Sequence, residues 1–253
     1  MSQTPIEADQ CASGRFRSWA ATHVGTTRRN NEDCYLNRPD LGLWVVADGA
    51  GGHQAGEVAS QTVVAALATI PPGLAPAEML AQVRLRLSEA HAALREEAAR
   101  RGPSAMLATT VVVLLAGPEH FACLWAGDSR AYRLRDGVFE QITHDHSLVQ
   151  ELVDSGIISA AEAERHPHAN VITRAVGADA ETLDLDKVSD RLQLGDRFLL
   201  CSDGLCKTLA EASLAALLGG VGPMPPPTAL VEEALRAGVT DNVTAVVLEI
   251  LGT

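Results

Sequence analysis

Five acidic positions in this 253-residue chain stand where an extended or apolar run gives way to a turn: Asn31-Glu32-Asp33, Asp48-Gly49, Gly127-Asp128-Ser129, Ser202-Asp203-Gly204 and Asp241-Asn242. Three of them are flanked by apolar, strand-like residues. A carboxylate at the mouth of a buried strand is costly to desolvate unless a counter-charge meets it, and a divalent cation supplies one. Oxygen ligands without histidine or thiolate suit hard cations and disfavour zinc or copper. Mg2+ or Mn2+ is a better choice than Ca2+, and the alternating acidic loop of a calcium EF-hand does not occur. Each dipeptide alone is an ordinary turn former or helix cap. Their recurrence at successive strand ends is what points to a metal site.

Other chemistries fit less well. Cys201 and Cys206 do not open the C-x5-R loop of a cysteine phosphatase. Gly49, Gly51, Gly52 and Gly56 lie between a strand and a helix, but position 54 is Gln, so the dinucleotide fingerprint G-x-G-x-x-G fails, and no G-K-S/T follows. His144, Asp145 and His146 could form a small metal site, although a polar turn after the strand VFEQI is the simpler reading. His53 is expected to cap or stack within the glycine-rich turn, with a place near substrate as the alternative.

These residues need elements to hold them. After a polar stretch of about 15 residues, expected to be a flexible tail over 1–16, RSWAATHVG alternates as a strand and LGLWVVAD at 41–48 suits a buried one. Helical spacing runs from Gly56 to the Pro71-Pro72 pair and again over 77–101, closed by Gly102-Pro103. Strands are predicted at 109–117, 120–127 and 131–142, the last turning at Asp136-Gly137. Residues 147–190 read as an excursion with short helices at 147–155 and 159–165. The strand DRFLLCSDG, helices near 211–218 and up to Arg236, and a final strand over 242–250 complete the chain. Strands grouped apart from paired helices favour an α+β layered domain over a doubly wound parallel sheet.

Composition narrows the function. Hydrophobic residues make up 47%, enough for one sizeable core in a single domain over 17–253. The net charge of −12 argues against nucleic acid, which is met by basic surfaces, and suits cation binding better. No apolar run approaches the roughly 18 to 20 residues that span a bilayer, and the start lacks a basic then apolar leader, so a cytoplasmic protein is expected. Five cysteines, odd in number and without C-x-x-C, suggest free thiols in a reducing compartment.

The ordered set of motifs is recognisable. VGTTRRNNED (24–33) resembles the V-G-x-x-R-x-x-N-E/Q-D opening of the type 2C (PPM) metal-dependent protein phosphatases, and VVADGAGGHQAGEVAS (45–60) resembles their V-A-D-G-M-G-G-H-x-x-G-E-x-A-S block. ATTVVVLL, WAGDSRAYRLRDG, THDHS, ITRAVG, LLCSDGL and DNVTAVVLEI follow in the family's order, so the resemblance runs from about residue 17 to 250. It implies a four-layer α/β/β/α sandwich, two antiparallel sheets with helices on both outer faces, a metal cleft at one end and a flap over about 147–190.

The resemblance also assigns roles. Asp48 would bridge two Mn2+ or Mg2+ ions, with the Gly49 carbonyl as a further ligand, and Asp203 and Asp241 would complete the first ion. Glu32 and Asp33 would serve the second directly or through waters, and Asp128 matches a ligand for a third, weaker ion seen in bacterial relatives. Arg28, rather than Arg29, would clamp the substrate phosphate, a task suited to a planar bidentate donor. The implied activity is hydrolysis of phosphoserine and phosphothreonine in proteins by in-line attack of a metal-bridging hydroxide, with a catalytically silent phosphoprotein-binding module as the alternative. Ala50 departs from the pattern: bacterial relatives carry methionine there and animal relatives a histidine thought to be a general acid. The expected partners are phosphorylated proteins, targets of a bacterial serine/threonine kinase, and the chain resembles enzymes encoded with type VI secretion systems. A monomer is expected.

Overall fold

The computed structural model describes residues 4–51, 55–220 and 222–252. In chain order the strands and helices are β1 (Glu7–Ser13), β2 (Phe16–His23), β3 (Asp33–Arg38), β4 (Leu43–Ala50), α1 (Ala55–Ala68), α2 (Pro76–Arg101), β5 (Ala108–Thr109), β6 (Val111–Ala116), β7 (His120–Ala126), β8 (Arg130–Arg135) and β9 (Val138–Gln141). They continue with α3 (Leu148–Asp154), α4 (Ala160–Ala163), β10 (Asp186–Arg191), β11 (Arg197–Cys201), α5 (Asp203–Cys206), α6 (Glu211–Gly219), α7 (Pro226–Arg236) and β12 (Val243–Ile250).

Two antiparallel sheets result. One has the order β1-β2-β12-β11-β8-β9, and the other β10-β7-β6-β4-β3 with β5 attached to β4. The central strands are apolar on both faces because both faces are covered, a pattern more usual in parallel sheets. In β4, Leu43, Val45 and Ala47 pack under α1 and α2, while Trp44 and Val46 point between the sheets. In β12, Val243, Ala245 and Val247 pack against α6 and α7, while Val246, Leu248 and Ile250 face inward. The sandwich of sheets with helices on both outer sides is therefore the architecture that the sequence leads one to expect.

Period-two alternation also decides where the acidic residues point. Asp48 shares the inter-sheet face of Trp44 and Val46, two residues beyond the last apolar contact, and Asp33 is its cross-strand partner in β3. Ser202 and Thr244 continue the inward faces of β11 and β12 from the other sheet. The apolar filling between the sheets thus ends in a polar layer at one end of the sandwich.

Three strands escape the sequence pattern. The tail expected through residue 16 is corrected here, since residues 7–13 form an edge strand paired along its whole length with β2. It is tied down by Asn37 Nδ2, which donates to Asp9 Oδ1 at 2.6 Å. The excursion expected over 147–190 closes earlier, because Asp186–Arg191 pairs with β7 as an edge strand. β3, too, lacks a clear apolar run. Edge strands gain main-chain hydrogen bonds without a buried face, so polar sequences such as EADQCAS and DKVSDR carry no hydrophobic period.

Phe198 ties the sheets together, meeting Phe121 edge-on at a centroid distance of 4.9 Å. Phe198→Ala is expected to lower stability by about 3 to 5 kcal/mol, the range for an aromatic removed from a packed core. Urea unfolding followed by far-UV circular dichroism measures it.

Candidate metal centre

The polar layer is built around main-chain clamps. Asp48 O accepts from Thr110 N at 2.8 Å and from Thr109 Oγ1 at 2.9 Å, and Asp48 N donates to Thr110 Oγ1 at 3.2 Å. Thr110 Oγ1 in turn lies 2.7 Å from Ser129 Oγ, joining the Asp48 strand end to the Gly127-Asp128-Ser129 turn. That turn requires its glycine. Gly127 has φ +114°, and a Cβ there would stand 2.5 Å from Thr110 Cβ.

Gly49 and Gly56 meet where β4 runs against the start of α1. A Cβ on Gly49 would fall 2.1 Å from Gly56 O, and one on Gly56 would fall 2.9 Å from the Glu32 carboxyl carbon. Only hydrogen lets this strand, this helix and Glu32 approach so closely. The Glu32 carbonyl accepts from Gly49 N and Ser60 Oγ, fixing the backbone beside the site.

Asn242 fastens the opening loop. Its Nδ2 donates to Val24 O and Asn30 O, and its Oδ1 accepts from Glu32 N at 2.8 Å. Within one sheet Thr244 N donates to Ser202 Oγ, which in turn donates across to Asp33 Oδ2 of the other sheet at 2.7 Å. Asp33 Oδ1 is buried and has no hydrogen-bond partner. Burial is the chief reason its pKa is pushed up to about 7, and the Asp203 and Asp241 charges add to it. Asp48 is raised in the same direction, first by burial and then by the negative charges of Asp33, Asp203 and Asp128.

The outer members of the cluster have cationic partners. Lys207, at the end of α5, places Nζ 2.7 Å from Asp203 Oδ2 and 2.8 Å from Asp128 Oδ2. Arg28 reaches across the opening loop so that Nη2 donates to Asp241 Oδ2 at 2.8 Å, with both side chains substantially exposed. An exposed ion pair of this kind contributes little and exchanges partners readily. Among the described residues no three acidic, imidazole or thiol groups already converge on one point, since Asp128 and Asp203 turn to Lys207 and Asp241 turns to Arg28.

The structure therefore brings Glu32, Asp33, Asp48, Gly49, Asp128, Asp203 and Asp241 to one end of the sandwich with Arg28 at its rim. A buried carboxylate oxygen without a donor, beside a half-buried carboxylate whose neighbours are also acidic, is a donor set that fits hard divalent cations. The Oδ2 of Asp128 that a third ion would draw on is a different matter, being already met by an ammonium.

Other candidates separate. Asp145 forms a two-pronged ion pair with Arg130, His144 meets Asp154 at 2.7 Å, and His146 Nδ1 accepts from Gly127 N while Nε2 lies 3.2 Å from Asp186 Oδ2. The three point to different partners and form no metal site; of them His146 braces the Asp128 turn through Gly127. His53 lies outside the described residues. Lys207, Asn242, Ser202, Thr244 and Thr110 carry weight that the motifs did not assign to them. Of these only Lys207 had a readable signal, its i,i+4 spacing from Asp203.

A sequence profile described as protein phosphatase 2C matches residues 22–224. The chain belongs to the protein phosphatase 2C family. Among curated relatives it is 37% identical over 238 residues to the serine/threonine protein phosphatase PstP of Mycobacterium tuberculosis, covering 93% of this chain and 45% of that protein. The chain thus spans about half the length of that relative. It is 31% identical over 236 residues to the serine/threonine phosphatase stp of Listeria innocua, covering 90% of this chain and 93% of that one.

Solved structures of the phosphatase 2C type agree in fold. PppA, a key regulatory component of T6SS in Pseudomonas aeruginosa, superposes with a TM-score of 0.86 at 43% identity, over 94% of this chain and 99% of that one. The catalytic domain of PstP in complex with two manganese ions superposes with a TM-score of 0.79 at 36% identity, over 94% and 99%.

The raised carboxylates have a pH consequence. A folded-state pKa above the ordinary 3.8 means that the fold favours the protonated acid, so stability is fully present below 3.8 and is lost as pH rises through about 7. In EDTA the melting temperature is expected to fall across that window, and Mn2+ is expected to restore it at neutral pH. Differential scanning calorimetry with and without metal checks both.

Proposed function

We propose that this chain is a metal-dependent protein serine/threonine phosphatase, and the observation that carries the reading is the Asp33–Asp48 pair, a buried and a half-buried carboxylate facing each other across β3 and β4 at one end of the sandwich. In this reading Asp48 and the Gly49 carbonyl, with Asp203 and Asp241, would hold one divalent ion, and Asp48 would hold the second with Glu32 and Asp33, directly or through waters. Two Mn2+ or Mg2+ ions bound there would supply an acidified water for in-line attack on phosphorus and positive charge to offset the transferring oxygens.

The chain's own groups do the rest. Arg28 leaves Asp241 and binds two phosphate oxygens, orienting the ester for attack and countering the charge that spreads over the equatorial oxygens. Thr109 and Thr110 hold the Asp48 backbone, so its carboxylate does not have to be reorganised when substrate binds. Ala50 offers no proton to the leaving serine or threonine oxygen, so that proton comes from solvent at the centre. No cysteine is needed: burial, together with its contact with Cys206, keeps the Cys201 thiol far from its thiolate.

The substrates in this reading are phosphorylated serine and threonine residues placed by a bacterial kinase. The likeness to PppA supports a setting in type VI secretion control. The five free cysteines favour a reducing, cytoplasmic compartment. We take the working unit to be the monomer, selecting its targets through the flap between β9 and β10.

Hydrolysis of p-nitrophenyl phosphate and a phosphothreonine peptide with Mn2+, Mg2+ or EDTA tests the reading. Turnover is expected to require metal and to fall by more than about 100-fold in Asp48→Asn, beyond the loss typical for groups that only support a ligand. Arg28→Ala is expected to act mainly on KM for the peptide, with Arg28→Lys restoring only part of it. Absence of turnover with every metal would contradict the enzyme and favour a silent phosphoprotein-binding module.

A further inference from the structure

Lys207 has a place in the centre that the ligand assignments above leave unexplained. It lies one helical turn beyond Asp203, and its side chain enters the site instead of leaving it. Its Nζ is 2.7 Å from Asp203 Oδ2, 2.8 Å from Asp128 Oδ2 and 3.2 Å from Asn170 Oδ1. An ammonium has three N–H donors and no acceptor, so these three oxygens use all of them. Asp128 is nearly buried, with 5% of its side chain exposed, and Lys207 is the cation that meets it.

A third divalent ion at Asp128 would need the same two carboxylate oxygens. Mg2+ binds oxygens at about 2.0 to 2.1 Å in a near-octahedral shell, whereas the ammonium sits at hydrogen-bond distance on a tethered stem. Both cannot occupy the space between Asp128 and Asp203, and a doubly charged ion brought beside the ammonium would be repelled. The tethered charge is always present, whereas an exchangeable ion depends on its concentration.

We propose that the Lys207 ammonium is the resident third cation of this centre, so that the chain takes up two divalent ions and no Asp128-dependent third. The proposal rests on the two-ion reading above. It also gives Lys207 a positioning role, because its third donor holds Asn170, in the segment between α4 and β10, against the carboxylate cluster.

Equilibrium dialysis of the full chain against Mn2+, read by elemental analysis, tests this. The unmodified chain and Asp128→Asn are both expected to saturate at two Mn2+ per chain. Lys207→Asp is expected to gain a third, weaker Mn2+, and adding Asp128→Asn to it should return the count to two. Thermal melts confirm that each variant is folded, and the first two proteins decide the matter even if Lys207→Asp does not fold. Three ions on the unmodified chain would overturn the proposal, as would a folded Lys207→Asp that stays at two. Failure of the unmodified chain to bind any Mn2+ would overturn the two-ion reading itself and this proposal with it.

Discussion

A buried and a half-buried carboxylate face each other across neighbouring strands, and the rest of the centre is arranged around the charge they create. Asp33 and Asp48 are register partners in β3 and β4, both on the inward face, and each raises the cost of ionising the other. Without a counter-ion the environment favours the protonated acid at both positions. With divalent cations present, the same repulsion becomes affinity, since removal of bulk water strengthens attraction to a cation as much as it strengthens repulsion between anions.

The sandwich supplies that geometry at small backbone cost. Each sheet buries one face against its helices and the other against the opposite sheet, so strand register is fixed over the whole length and the polar residues at the strand ends cannot slip to another face. Asp33 comes from one sheet and its hydroxyl donor Ser202 from the other, so the cleft keeps its shape only while the sheets stay packed. Clamps from Thr109, Thr110 and Asn242 then hold three loops that are far apart in sequence.

The parts legible in sequence were those with a strong physical signature. β4, β6, β11 and β12 are apolar on both faces and announce themselves as short buried runs, and the acidic residues at their ends stand out against that background. β1 and β10 were not legible because an exposed edge strand is held by main-chain hydrogen bonds, which EADQCAS and DKVSDR can make without any apolar pattern. Ser202, Thr244 and Thr110 look in sequence like ordinary turn or strand residues. Their importance comes from contacts between strands and turns far apart in sequence, which no local spacing encodes. Lys207 reads as a surface i,i+4 partner of Asp203 until the Asp128 turn, 79 residues earlier, is seen to fold onto it.

The central claim is that this carboxylate layer is a divalent-metal centre bridged by Asp48. Anomalous diffraction at the manganese edge from crystals grown with MnCl2 tests it most directly. The account predicts two anomalous peaks, both within coordination distance of Asp48 carboxylate oxygens, one also touching Asp203 and Asp241. Peaks confined to other surfaces, with none beside Asp48, would contradict it.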